Sequence, residues 1–196
     1  MYTKPDYDRL YEIAESQAGY FAAHQARRVG FTWERLSSNA KNGRFLRVAQ
    51  GIYRLAHFPG SPYEDLVVAW LRTGKDSVIS HESALALYNL SDVLPGKVHV
   101  IVPRTASRRR RGIRLHTSRL NPDDVTVREG LPVTTVPRTI ADIILSGLAD
   151  EHIKNAIHEA LQRGLVTREN LLAVARSRGG KVEQVIHHAL ESEVSP

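Results

Sequence analysis

The stretch that decides the fold is residues 19–55, GYFAAHQARRVGFTWERLSSNAKNGRFLRVAQGIYRL. Phe21 ends an apolar pair that predicts a short β element. Ala22, Ala23, Ala26 and Val29 then recur at helical spacing, and Gly30 stops that helix as a C-terminal glycine does. Thr32 is placed to cap a second helix, with Phe31 and Leu36 as a hydrophobic staple. Gly43 closes this helix. Phe45, Arg47 and residues 50–53 alternate in polarity about Gly51, as a small β-hairpin would. Two helices joined by a glycine turn and followed by a hairpin spell a winged helix-turn-helix.

Charge agrees with that reading. Between residues 27 and 54 the basic side chains are Arg27, Arg28, Arg35, Lys41, Arg44, Arg47 and Arg54, and Glu34 is the only acid. On the 32–42 helix, Trp33, Leu36 and Ala40 have the spacing of a core-facing row, while Arg35, Asn39 and Asn42 fall on the opposite one. Arginine and asparagine pair bidentately with guanine and adenine edges in the major groove. Arg44 and Arg47 lie where a wing or helix end meets phosphate. The candidate DNA contacts are therefore Thr32, Arg35, Asn39, Lys41, Asn42, Arg44 and Arg47. A solvated polar face on an ordinary helix is the competing reading for each one singly.

The chain has 196 residues, 42% of them hydrophobic, enough for one large domain or two small ones. A net charge of +6 and a pI near 9.8 suit an acidic partner such as nucleic acid. Cysteine is absent, which excludes disulfides and thiolate chemistry and fits a reducing cytoplasm. The N-terminus lacks the apolar core of a signal peptide. No run approaches the roughly 18 apolar residues of a membrane span. A soluble cytoplasmic protein without a membrane partner is expected.

Residues 6–18 predict an amphipathic helix supporting the other two. Two prolines and a glycine within 57–62 mark the expected boundary, dividing the chain into a DNA-binding domain (1–57) and a second domain (62–196). The second region predicts helices at 61–71 (capped by Ser61), 81–88, 138–145, 150–161, 167–176 and 181–191. Strands are expected at 78–80, 97–102, 113–116 and 131–135. Asp123 and Asp124, beside Pro122, read as a turn or helix cap. The fold class is α+β, a winged helix-turn-helix followed by a small mixed α/β domain.

Residues 104–114 carry six arginines and no acid: Arg104, Arg108, Arg109, Arg110, Arg111 and Arg114. Lying between two strands, they suggest a phosphate-binding hairpin tip, or equally a surface for an acidic protein. Catalytic signatures are missing. Gly74-Lys75 has neither the upstream glycine nor the spacing of a phosphate-binding loop. His81-Glu82 opens a helix, but Leu85 stands where a zinc protease needs its second histidine, and His187-His188 reads as a solvated pair. No metal site is assigned. Asp142 sits among apolar residues, either as the i+4 partner of Arg138 or as a catalytic acid.

The segments FAAHQARRVGF (21–31) and GRFLRVAQGIYRL (43–55), followed by VISHESALALYNL (78–90), KVHVIVPR (97–104) and LPVTTVPRTIADII (131–144), resemble in their order the AbiEi family of antitoxins. The resemblance covers roughly residues 18–145. It implies a bacterial type IV toxin–antitoxin pair, in which the winged helix represses its own operon by binding inverted repeats, as a possible homodimer on the operator DNA. It also implies a second domain that neutralises a cognate nucleotidyltransferase toxin acting on tRNA. Ser80, His81, Ser83, Arg138 and Asp142 match the family's second-domain motifs. Ser80 is placed to cap the 81–88 helix. A non-catalytic repressor and antitoxin with no cofactor is the first expectation. The alternatives are an atypical serine/threonine kinase using ATP, with the arginine-rich loop, Lys75, His81 and Asp142 serving the nucleotide, and a plain transcription factor.

Overall fold

The structure is a computed structural model, and it describes residues 4–90, 95–106 and 110–192. The protein is α+β. It divides into two compact units, one running through Ser77 together with Glu129–Leu131, the other beginning at Val78.

The first unit contains α1 (Tyr7–Glu15), β1 (Tyr20–Ala22), α2 (Ala23–Arg28), α3 (Trp33–Lys41), β2 (Phe45–Ala49), β3 (Ile52–Leu55) and α4 (Glu64–Thr73). The caps follow the sequence. The Arg9 amide donates to Asp6 Oδ1 at 2.9 Å, and the Arg35 amide donates to Thr32 Oγ1 at 3.3 Å. Gly30 makes the turn between α2 and α3 at φ +89°, where a Cβ would stand 2.9 Å from the Lys4 carbonyl oxygen. A larger residue is excluded there twice over, by backbone angle and by space. The strands form an antiparallel sheet in the order β1-β3-β2. Its core is aromatic: Phe21 meets Phe45 edge-on at 5.0 Å and stacks on Tyr53 at 5.7 Å, with Leu10, Ala26, Phe31 and Leu36 around them.

The division of the chain falls later than the prolines suggest. The buried Tyr20 hydroxyl donates to Glu64 Oε2 (2.7 Å) and accepts from the Ser61 amide (3.2 Å), tying α4 to β1. Thus α4 belongs to the first unit. Ser61 does not cap it; its Oγ accepts from the Tyr63 amide in a preceding turn, and the helix begins at Glu64.

The second unit contains β4 (Val78–Ile79), α5 (His81–Tyr88), β5 (Val98–Ile101), β6 (Ile113–His116), β7 (Val125–Arg128), β8 (Leu131–Thr134), α6 (Val136–Ser146), α7 (Asp150–Gln162), α8 (Arg168–Arg178) and α9 (Gly180–Ser192). The sheet order is β6-β5-β4-β8-β7; β4 runs antiparallel to β5 and parallel to β8, and β5 is parallel to β6. Helix α6 is the hub, packing against α5, α7, α8 and α9 with Ile140, Ala141, Ile143 and Ile144 buried. Strand β7 escaped the sequence reading. Its signal is the Glu129-Gly130 pair, both at positive φ (51° and 74°), as a two-residue primed turn requires.

Candidate functional site

Helix α3 and the wing carry the candidate nucleic-acid interface. Leu36 and Asn39 are buried and fix the inward direction of α3. At 100° per residue the outward row is then Glu34, Ser38 and Lys41, flanked by Arg35 and Asn42 on one side and Trp33 and Ser37 on the other, all exposed. Arg44 and Arg47 are exposed, and Thr32 is half-buried in its capping role. Six expected contacts are therefore at least partly at the surface, and Asn39 is not. Its Nδ2 donates to the Arg35 carbonyl at 2.8 Å and pairs with the Tyr7 hydroxyl at 3.3 Å, so it holds α3 to α1.

Trp33 is the opposite case. Expected in the core, it is 53% exposed, with the Arg27 guanidinium 5.3 Å from its ring centre. The helix has two large apolar residues one turn apart, and the core of the first unit takes only Leu36. Sequence reasoning thus missed Trp33, Glu34, Ser37 and Ser38; the register set by Leu36 would have placed Glu34 and Ser38 outward and Ser37 on the flank, whereas Trp33, one turn from Leu36, is turned out by the packing alone. Hydrogen bonds from its own backbone and from Thr32 hold the Glu34 carboxyl below its usual range.

The arginine-rich segment is not a hairpin tip. Strands β5 and β6 are parallel, so they are joined by a crossover connection rather than a tight turn. Arg104, Arg111 and Arg114 are exposed, whereas Arg110 is half-buried and its carbonyl accepts from the Ile113 amide. Arg108 and Arg109 lie outside the described residues. Lys97, Arg110 and Arg114 line an open cleft of about 750 Å³ that His99 also reaches.

The three residues proposed to serve a nucleotide fall into separate settings. Lys75 lines a cleft of about 290 Å³ with His24, Arg28 and Trp70, all within the first unit. Asp142 is an ion-pair partner of Arg138 in the second unit. His81 belongs to a buried histidine group.

That group was invisible in the sequence. His81 opens α5, His99 lies on β5 and His116 ends β6. In the register of the two strands His116 faces Ile101, so His99 and His116 share one face of the sheet. The His81 and His116 rings stack at 3.6 Å, and His116 Nε2 lies 3.4 Å from His99 Nδ1. Ser80 does not cap α5; its Oγ pairs with His81 Nδ1 at 2.9 Å. Glu82 Oε2 is buried and stands 2.6 Å from His99 Nδ1. Burial, then the neighbouring His116 and His99, push His81 down to about 3; burial, His99 and Arg114 push His116 to about 4. Both imidazoles are neutral at physiological pH.

No protein-family model and no curated protein sequence matches the chain. Among solved structures, the crystal structure of the RV2827C protein from Mycobacterium tuberculosis is similar in fold. It aligns with 96% of this chain and 77% of its own, at a TM-score of 0.59 and 13% identity. Among the described residues no helix is long and apolar enough to cross a membrane.

Proposed function

We propose that this protein is a DNA-binding repressor and the antitoxin of a type IV toxin–antitoxin pair, acting in the cytoplasm on its own operator. The observation that carries the DNA-binding half is the exposed face formed by α2, α3 and the wing. There Arg27, Arg28, Arg35, Lys41, Arg44 and Arg47 stand at the surface, with Glu34 the only acid between residues 27 and 54. Arg35 and Glu34 are suited to base edges, guanine O6/N7 and cytosine N4 respectively, and Arg44 and Arg47 to phosphates. Two copies on an inverted repeat would double the contacts. The antitoxin half rests on the AbiEi-like motifs, and its partner is a nucleotidyltransferase toxin encoded alongside.

The test is binding to DNA from upstream of the protein's own gene across a salt series, with Arg35→Ala/Arg47→Ala as the control. Specific binding lost in the double variant supports the repressor. Equal binding to unrelated DNA refutes operator recognition. Co-expression with the adjacent nucleotidyltransferase tests neutralisation separately, and continued toxicity in the presence of folded protein refutes it.

A further inference from the structure

We propose that His81, His99 and His116 form a binding site for a divalent transition-metal ion of the zinc class. The three imidazoles each offer a nitrogen, and these nitrogens all lie within 4.8 Å of one another. A tetrahedral zinc ion with bonds of about 2.0–2.1 Å separates its ligand atoms by about 3.3 Å. His116 Nε2 and His99 Nδ1 stand 3.4 Å apart. Three imidazole nitrogens with a fourth position left open are a donor set that suits zinc and its neighbours in the first transition row.

The competing account is a self-sufficient buried polar cluster; the convergence of three imidazole nitrogens within 4.8 Å of one another favours an ion instead. Glu82 Oε2, buried and 2.6 Å from His99 Nδ1, places a carboxylate at the edge of the group. A bound cation would add a counter-charge to that carboxylate. The N-terminus of α5 opposes a cation through its dipole, and the Glu82 charge in its first turn offsets that opposition.

Two further features hold the site in place. His81 has φ +52°, a left-handed backbone that a non-glycine residue adopts only under constraint. The fully buried Ser80 Oγ fixes the His81 ring through Nδ1, the outer-shell arrangement that orients metal-ligating histidines. His99 also lines the open cleft beside β6, which gives an ion a route in.

The experiment uses the full chain without a histidine tag, stripped by a chelator and dialysed against Zn(II), with bound metal measured by elemental analysis and affinity by calorimetry. One zinc per chain is expected, together with a rise in thermal stability. Co(II) in its place should give the intense visible bands of a tetrahedral site. His99→Ala and His116→Ala should abolish uptake, and His187→Ala/His188→Ala should leave it unchanged. Ser80→Ala, which removes no ligand, should weaken binding by about 10–100-fold. Circular dichroism establishes that each variant is folded. A folded wild-type chain that takes up no stoichiometric zinc overturns the proposal, as does undiminished uptake by a folded His99→Ala/His116→Ala chain.

Discussion

Arg138 Nε donates to Asp142 Oδ1 at 2.9 Å, one turn further along α6, with both side chains buried. Through Nη1 the same guanidinium reaches Asp124 Oδ2 (2.8 Å) and the Arg119 carbonyl (3.0 Å), so it binds α6 to the 3-10 turn Pro122–Asp124. Burial pushes the Asp142 carboxyl up while Arg138 pulls it down. The pair is an internal clamp, and Asp142 is not presented to a substrate.

Breaking that clamp should be costly. Arg138→Ala leaves the buried Asp142 without its cation, while the half-buried Asp124 keeps Arg178 at 3.8 Å, and is expected to lower stability by about 3–5 kcal/mol. Arg9→Ala, at the exposed pair with Glu12, should change it by less than about 1 kcal/mol. Urea unfolding of both variants compares them directly; equal effects would refute the clamp.

Asn39 should behave as a structural residue. Asn39→Ala removes the side-chain hydrogen bond to the Arg35 carbonyl and the link to the exposed Tyr7 hydroxyl, at a cost of about 0.5–1.5 kcal/mol. Measured well below its lowered melting temperature, its DNA affinity should stay within about threefold of wild type, since the side chain reaches no ligand. A large affinity loss in the folded variant would show that Asn39 turns outward on DNA.

The exposed arginines should divide by role. Arg47→Ala is expected to weaken binding to all sequences alike and to reduce the salt slope by about 1. Arg35→Ala should instead lose about 1–3 kcal/mol of discrimination at one base position. Titrations against an operator series at several salt concentrations separate the two patterns.

Alkali should loosen the first unit through Tyr20. Burial, reinforced by the hydrogen bond to Glu64, raises its ionisation above the ordinary value of 10.0. Below that value both folded and unfolded chains hold the proton, and the contribution to stability is complete. As pH rises the unfolded chain ionises first, so stability falls between about pH 10 and the raised folded value. Tyr20→Phe removes this component of the alkaline decline, as urea midpoints between about pH 9 and 11 would record. An identical decline in the variant would refute the assignment.

Gly30→Ala should cost about 1–3 kcal/mol, because alanine resists the left-handed backbone and its methyl group meets the Lys4 carbonyl. Gly112→Ala, also at positive φ but in open space, isolates the backbone component. Thermal melts of the two give the steric difference.

Local chemistry made much of this protein readable from its sequence. The Thr32 cap, the Gly30 turn, the hairpin about Gly51 and the Arg138–Asp142 pair all follow from neighbours within about one helical turn. What the tertiary structure alone decided was orientation and long-range company. Trp33 faces out and Asn39 faces in because Leu36 fills the core and Tyr7, on another helix, supplies a partner. The parallel pairing of β5 and β6 turned an apparent hairpin tip into a crossover. His81, His99 and His116 became neighbours only when that pairing and the packing of α5 closed the long gaps between them. No local spacing rule spans such gaps, because side chains that far apart in sequence meet through the fold.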